Sequence, residues 1–183
     1  MIKYIQQTLC VFFLQKGGNM KVVIKQKYFT VGAKFEIKTT EGQTVFFAER
    51  QWDRFMGNVV LFDKNGAPVA RMQSEFKKVF TSWFSISDSR GNEVCCINEK
   101  LPFLCFRRAE SSHGNLKVKI KAGPFHMKAY LLNEQGKTLA VKARKKILAI
   151  RDTYIIDIDE SKINPAYGVL VGVWYDLVCH PSH

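Results

Sequence analysis

Apolar and polar residues alternate along most of this chain, in short runs separated by polar turn segments. A strand with one buried face alternates with a period of two, so these runs predict about twelve β-strands between Val22 and Ile158. Five turn segments each carry a glycine after a short polar run: Thr40-Glu41-Gly42-Gln43, Lys64-Asn65-Gly66-Ala67, Ser89-Arg90-Gly91-Asn92, Ser112-His113-Gly114-Asn115 and Glu134-Gln135-Gly136-Lys137. Glycine adopts the positive φ that a tight turn needs, so the pattern predicts stacked antiparallel hairpins.

An open sheet with so many strands would leave two exposed edges. We therefore expect the sheet to close into a barrel or to split into a sandwich. The first strand is predicted from Val22 to Thr30, and the eighth is predicted to begin at Phe103.

The C-terminal segment has a different pattern. Asn164 suits the N-cap of a helix and Pro165 suits its first position, and the run that follows to Val178 is apolar on every side. Such a helix has no solvent face, so it is either buried in the domain or a membrane anchor. We prefer burial, because the run is shorter than the roughly 20 residues of a membrane span. Its two glycines indicate close approach of neighbouring backbone.

The length of 183 residues suits one domain, which we place at residues 20–183. Residues 1–19 are predicted to be an N-terminal extension, either a short helix or a disordered segment. Their apolar run is too short for a transmembrane span. The five cysteines form no C-x-x-C motif, and their odd number does not suggest a disulfide framework. We expect a reducing cytoplasmic location, with peripheral membrane association as a possibility.

The net charge of +12 is unevenly distributed. From Met20 to Arg151 there are 25 Lys and Arg against 11 Asp and Glu, whereas the last 32 residues hold one Lys and five acids. The density of positive charge is highest between Asn115 and Arg151. An anionic partner is expected, although charge alone does not distinguish lipid, nucleic acid and protein.

Within this basic region, lysines and arginines recur at every second position, which places them on one face of a strand. We predict a basic platform that binds lipid headgroups, formed by Lys117, Lys119, Lys121, Lys128, Lys142, Arg144 and Lys146. The plain alternative is a solubilising surface that discourages edge aggregation. Binding of single-stranded nucleic acid would require aromatic side chains on the same face, and only Tyr130 qualifies.

The sequence contains no G-x-S-x-G, H-E-x-x-H, Walker or G-x-G-x-x-G motif, so we expect no enzyme activity and no cofactor. The four histidines are scattered, and no metal site is predicted. The cysteines at positions 95, 96 and 105 are expected to pack as small apolar groups.

Three segments resemble a known family: the run from Lys25 to Ile37, the turn Asp63-Lys64-Asn65-Gly66, and the run from Lys145 to Ile158 that leads into a helix ending Trp174-Tyr175-Asp176. With these segments the chain, from about Met20 to Cys179, resembles LURP-one-related members of the Tubby C-terminal-like superfamily, whose fold the phospholipid scramblases share. The resemblance implies a closed barrel of about twelve antiparallel strands around an apolar C-terminal helix.

The resemblance also implies a function. Tubby-type domains bind phosphoinositides, so we expect a non-enzymatic module that binds anionic phospholipid at a membrane surface or acts as a scaffold. A nucleic-acid-binding protein and a scramblase-like membrane protein are the alternatives. Scramblases carry a calcium-associated segment before the helix, and the corresponding acids here are Asp152, Asp157, Asp159 and Glu160. They lack the spacing and the glycine of a calcium loop, so carboxylates at a strand end are the simpler interpretation.

Overall fold

The computed structural model describes residues 18–25, 34–53, 56–78, 81–103, 106–113, 116–122, 126–133, 136–145 and 153–179. Strands and one helix occupy most of these ranges, in the order β1 (Asn19–Lys25), β2 (Lys34–Thr39), β3 (Thr44–Asp53), β4 (Met56–Phe62), β5 (Pro68–Lys78), β6 (Thr81–Asp88), β7 (Glu93–Phe103), β8 (Phe106–His113), β9 (Leu116–Ala122), β10 (His126–Asn133), β11 (Gly136–Lys145), β12 (Thr153–Asp159) and α1 (Pro165–Cys179). The predicted antiparallel β architecture with one C-terminal helix is confirmed.

Consecutive strands pair with each other from β2 to β12, and β1 pairs with both β12 and β2. The strand order therefore returns to its start and describes a closed barrel. Strand β1 makes the two pairings that close the ring. Seven residue pairs join it to β12, from Asn19–Asp159 to Lys25–Thr153, and among the described residues two join it to β2, Val22–Thr39 and Val23–Lys38.

Two predicted strand starts differ from the structure. β1 begins at Asn19 rather than at Val22, because its ladder with β12 already includes the pair Asn19–Asp159. Phe103 ends β7 rather than beginning β8, because the ladder between these strands continues to the pair Phe103–Phe106. The first strand is described only to Lys25, and the rest of its predicted extent, to Thr30, lies outside the described residues, as do residues 1–17 of the predicted extension.

The hairpin turns repeat one local geometry. Gly42, Gly66 and Gly91 have φ values of 88°, 83° and 85°, as the turn pattern predicted. In the second of these turns the Oδ1 atom of Asp63 accepts hydrogen bonds from the backbone N–H groups of Asn65 and Ala67, at 2.8 and 2.9 Å. Asp88 makes the same pair of bonds in the third turn. Each of these two turns thus satisfies its own backbone donors without help from the rest of the fold. Gly136 instead begins β11, and Gly114 lies outside the described residues.

Helix α1 is buried, as predicted. Every residue from Gly168 to Tyr175 is buried, and the helix contacts β1, β5, β11 and β12. The Trp174 ring meets Phe84 of β6 edge-on at 6.3 Å, and the Tyr175 ring meets Tyr154 of β12 edge-on at 5.6 Å. Contacts with β6 on one side and β12 on the other place the helix inside the ring of strands. The membrane-anchor alternative for this segment is therefore wrong.

The two helix glycines lie against β12. A Cβ atom built on Gly168 would lie 2.7 Å from Cγ2 of Ile158, and one built on Gly172 would lie 2.0 Å from Cδ1 of Ile156. Real Cβ atoms essentially never approach a neighbour within 3.0 Å. The glycines are therefore required by the close approach of α1 to β12, which is the role the sequence predicted for them.

Candidate functional site

Basic residues form a line across five neighbouring strands. Lys128 on β10 lies directly opposite Lys121 on β9 and Lys142 on β11. The line continues in the other direction, because Lys121 is opposite Arg108 on β8, which is opposite Lys100 on β7. We call this set the basic row; it consists of Lys100, Arg108, Lys121, Lys128 and Lys142. Neighbouring strands are about 4.8 Å apart, so the row extends over roughly 19 Å.

The basic row occupies the outer face of the sheet. Met127 and Ala129 on either side of Lys128 are fully buried, and so are Val141 and Ala143 on either side of Lys142. Successive residues of a strand point to opposite faces, so both lysines point outward, and both are partly exposed. Lys121, Arg108 and Lys100 occupy the directly opposed register positions on the next three strands.

No acidic position interrupts the basic row over its five strands. Like charges directly opposite each other destabilise a sheet, so five successive cations carry a cost that a paired arrangement would avoid. The row ends at β12, where Asp157 lies opposite Lys142. The arrangement can attract an anionic surface or an extended anion along its whole length.

Only part of the predicted platform enters the basic row. Lys121, Lys128 and Lys142 belong to it, whereas Lys117 is opposite Leu132 and Lys119 is opposite Glu110 in the next register positions. On β9 the burial of Ile120 is described, and the predicted common face of Lys117, Lys119 and Lys121 concerns side chains outside the described part of the chain. Of these three lysines, Lys121 alone lies opposite basic residues on both adjacent strands.

Arg144 is exposed, as predicted, but its charge is already engaged. Its Nη2 atom lies 3.3 Å from Oδ2 of Asp157, in an ion pair whose carboxylate side chain is 22% exposed. In register Arg144 faces His126 and Ile155 rather than another cation. Lys146, the last predicted platform residue, lies outside the described residues.

A groove lies beside the end of the basic row, over β11, β12 and β1. It has a volume of about 360 Å³ and is lined by Asn19, Lys21, Leu139, Ala140, Lys142, Asp157, Asp159 and Lys162. We call it the lysine groove. A register shift after Ala129, where β10 meets β11, helps to shape it: Ala140 and Val141 are both buried in succession, and Leu139 is left exposed at the edge.

Both carboxylates of the lysine groove are held by neighbouring groups. Asp159 forms an ion pair with Lys162, and it accepts hydrogen bonds from the hydroxyl and the backbone N–H of Ser161 at 2.5 and 3.1 Å. The hydrogen bond from Lys162 is the main cause that lowers the pKa of Asp159, with Ser161 second. Asp157 is held by Arg144, as described above.

The acidic residues before the helix, which the sequence compared with a calcium-associated segment, do not form one cluster where they are described. Asp157 and Asp159 lie on the outer face of β12, Glu160 follows the strand, and Asp152 lies outside the described residues. Among the residues that are described, no group of three or more His, Cys, Asp or Glu is placed to hold a metal ion. Cys95 and Cys96 are buried in β7, as expected for small apolar groups, and Cys105 lies outside the described residues.

Sequence reasoning missed several cations of this surface. Lys100 and Arg108 lie in segments where alternation is irregular, and Lys21 and Lys162 are far from the basic region in sequence. They join it only through strand register and through the contact of β1 with β12. In hairpins the register depends on turn type and loop length, which could not be read from the sequence at these turns.

Comparison with known proteins gives one match to a family. A family model described as LURP-one-related matches residues 20–176, a range that begins inside β1 and ends inside α1. No curated protein and no solved structure matches the chain. In the ranges that the structure describes, no helix has both the length and the apolar character needed to cross a membrane.

Proposed function

The chain belongs to the LURP-one-related family, and from that premise we propose that it is a non-enzymatic, tubby-like barrel module that binds anionic phospholipid headgroups peripherally at the cytoplasmic face of a membrane. In this proposal the barrel around α1 is the rigid scaffold, and the basic row is the surface that meets the lipid. Phosphoinositides are the headgroups that the tubby-like resemblance implies.

The basic row is the observation that supports this proposal. Each Lys or Arg close to an anionic membrane contributes about 1 kcal/mol, so no single residue would suffice and several in one line would. Screening limits the attraction to about 8 Å at physiological salt, which favours a row of charges that can approach the surface together. Lys128 and Lys142, the two members whose exposure is described, are both accessible from the outside.

A nucleic acid is the alternative for the same charges. Stacking on bases would call for aromatic side chains among the cations, and none of the five members of the basic row is aromatic. Tyr130, the aromatic residue that the sequence offered, lies in the neighbouring register opposite Lys119. Lipid therefore fits the row better, and duplex DNA serves as the competing ligand in the test.

The test is flotation of the protein with vesicles of phosphatidylcholine alone, with added phosphatidylserine, and with added phosphoinositide, at low and physiological salt. The variant Lys121→Glu/Lys128→Glu reverses the centre of the basic row. The two new glutamates would face each other, as the two lysines do now, and each would also lie opposite a remaining cation, Arg108 or Lys142, so the fold should be retained. We expect binding to the anionic vesicles to fall about tenfold or more.

A matched control reverses two charges far from the row. Lys64 and Arg90 are exposed in separate hairpin turns, so Lys64→Glu/Arg90→Glu changes the net charge equally without touching the row. Equal losses in the two variants would show that net charge, not the row, controls binding. Binding to duplex DNA without binding to vesicles would favour the nucleic-acid alternative, and lipid transfer between leaflets of a reconstituted vesicle would favour the scramblase-like one.

A further inference from the structure

Two cations of the lysine groove have no ion-pair partner among the residues that the structure describes. Lys21 on β1 and Lys142 on β11 both lie directly opposite Asp157 on β12. The carboxylate nevertheless bonds through Oδ2 to Arg144, and its Oδ1 atom is buried without a hydrogen-bond partner among the described residues. Within that part of the chain, neither lysine ammonium has an ion pair or a hydrogen bond; Lys21 acts at a distance, helping to lower the pKa of Glu41.

The net charge of the lysine groove indicates the charge of the ligand that it would bind. The pairs Arg144–Asp157 and Lys162–Asp159 each sum to zero, which leaves the two positive charges of Lys21 and Lys142. A phosphate monoester carries about −1.5 to −2 at pH 7, and so matches them. A phosphodiester or a carboxylate carries about −1 and would leave one cation uncompensated.

The shape of the groove is compatible with such a ligand. Lys21 and Lys142 are two strands apart, with Asp157 between them, so their backbones are separated by roughly 10 Å and their long flexible side chains can converge on one group above the carboxylate. The volume of about 360 Å³ exceeds what one phosphate needs. The exposed side chain of Leu139 adds an apolar wall beside the charged floor.

We propose that the lysine groove is a binding site for a phosphate monoester, held between Lys21 and Lys142. The monoester can come from a lipid headgroup such as that of phosphatidic acid, in which case this inference rests on the proposed function. It can also come from a soluble phosphate such as glycerol 3-phosphate. The site is distinct from the centre of the basic row, which attracts any anionic surface, and it adds selectivity for the doubly charged group.

The experiment compares vesicles of phosphatidic acid and of phosphatidylserine in phosphatidylcholine, adjusted to equal surface charge, and measures binding of free glycerol 3-phosphate by calorimetry. The wild-type protein should bind the phosphatidic acid vesicles at least about fivefold more tightly. Lys21→Gln/Lys142→Gln should lose this preference, whereas Lys21→Arg/Lys142→Arg should keep it because the charges remain. Lys64→Gln/Arg90→Gln is the control for loss of two charges, and thermal melts check that each variant is folded.

The possible outcomes separate the two proposals. Vesicle binding without a preference for phosphatidic acid, together with no heat from glycerol 3-phosphate, overturns the groove site and leaves the proposed function standing. Binding of glycerol 3-phosphate that depends on the two lysines, without vesicle binding, supports the groove site with a soluble ligand and overturns the proposed function. A preference that survives Lys21→Gln/Lys142→Gln in folded protein places the selectivity elsewhere and overturns the groove site.

Discussion

Replacing Gly172 by alanine should destabilise the protein, although alanine is the better helix former. In a helix interior the change from glycine to alanine gains about 1 kcal/mol. Here the new methyl would lie 2.0 Å from Cδ1 and 3.0 Å from Cγ1 of Ile156, a side chain that is itself fully buried. Overpacking of a core costs about 1–3 kcal/mol, and a contact this short belongs at the upper end. The net loss should be about 2 kcal/mol.

A second substitution shows whether this contact is the cause. Ile156→Val removes the Cδ1 atom and alone should cost about 1 kcal/mol. In the double variant Gly172→Ala/Ile156→Val the shortest contact becomes the one with Cγ1, so the two losses should not add. We expect the double variant to be more stable than the sum of the single effects by at least about 1 kcal/mol. Urea unfolding followed by tryptophan fluorescence measures the free energies, since Trp174 is buried beside the site.

Gly168→Ala is the matched control in the same helix. Its new methyl would meet Ile158 at 2.7 Å rather than Ile156, so its effect should be smaller and Ile156→Val should not rescue it. Additive effects of Gly172→Ala and Ile156→Val, or an increase in stability with Gly172→Ala alone, would refute the close approach of α1 to β12.

Three further substitutions test the fold. Val171→Asp places a carboxylate at a position that is 2% exposed, so the protein should unfold, which circular dichroism would show; an unchanged melting midpoint would contradict burial of α1. Asn164→Ala removes the acceptor of a 2.9 Å hydrogen bond from the N–H of Ala166 and should lower the free energy of unfolding in urea by about 1 kcal/mol. An unchanged free energy would show that Asn164 does not cap the helix. The bond from Lys162 lowers the pKa of Asp159, so this pair stabilises the protein above about pH 4 and the gain is lost as the pH falls through the folded pKa. Asp159→Asn should therefore flatten the acid side of the profile of stability against pH, and an unaltered profile would contradict the pair.

The strands and the helix could be predicted because local rules determine them. Alternation located the strands, and positive-φ glycines marked the turns at Gly42, Gly66 and Gly91. The cap at Asn164 and the all-round apolar run gave the helix and its burial. The error at Phe103 arose where β7 and β8 meet, because the short apolar connection between them carries no polar turn signal.

The candidate site could be predicted only in part. Period-two spacing put Lys128 and Lys142 on an outer face, but it could not show that they are direct neighbours or that Arg108 extends their line. It could not show that Asp157 engages Arg144 either, since the pairing joins strands whose register depends on the whole sheet. Cross-strand neighbours depend on the register, which follows from the type and length of each turn, and the sequence showed where the turns are without showing their type.

The position of β1 also determines the order in which the protein can be assembled on the ribosome. β1 is synthesised early, yet seven of its residue pairs are with β12, which is synthesised late, and among the described residues two are with its sequence neighbour β2. Until β12 leaves the ribosome, both β1 and β11 have an unpaired edge, and exposed edges recruit other chains. Helix α1, which fills the interior, is made later still. We therefore expect the nascent chain to be prone to aggregation until β12 and α1 have been made, and pairing between strands so far apart in sequence should make closure slow.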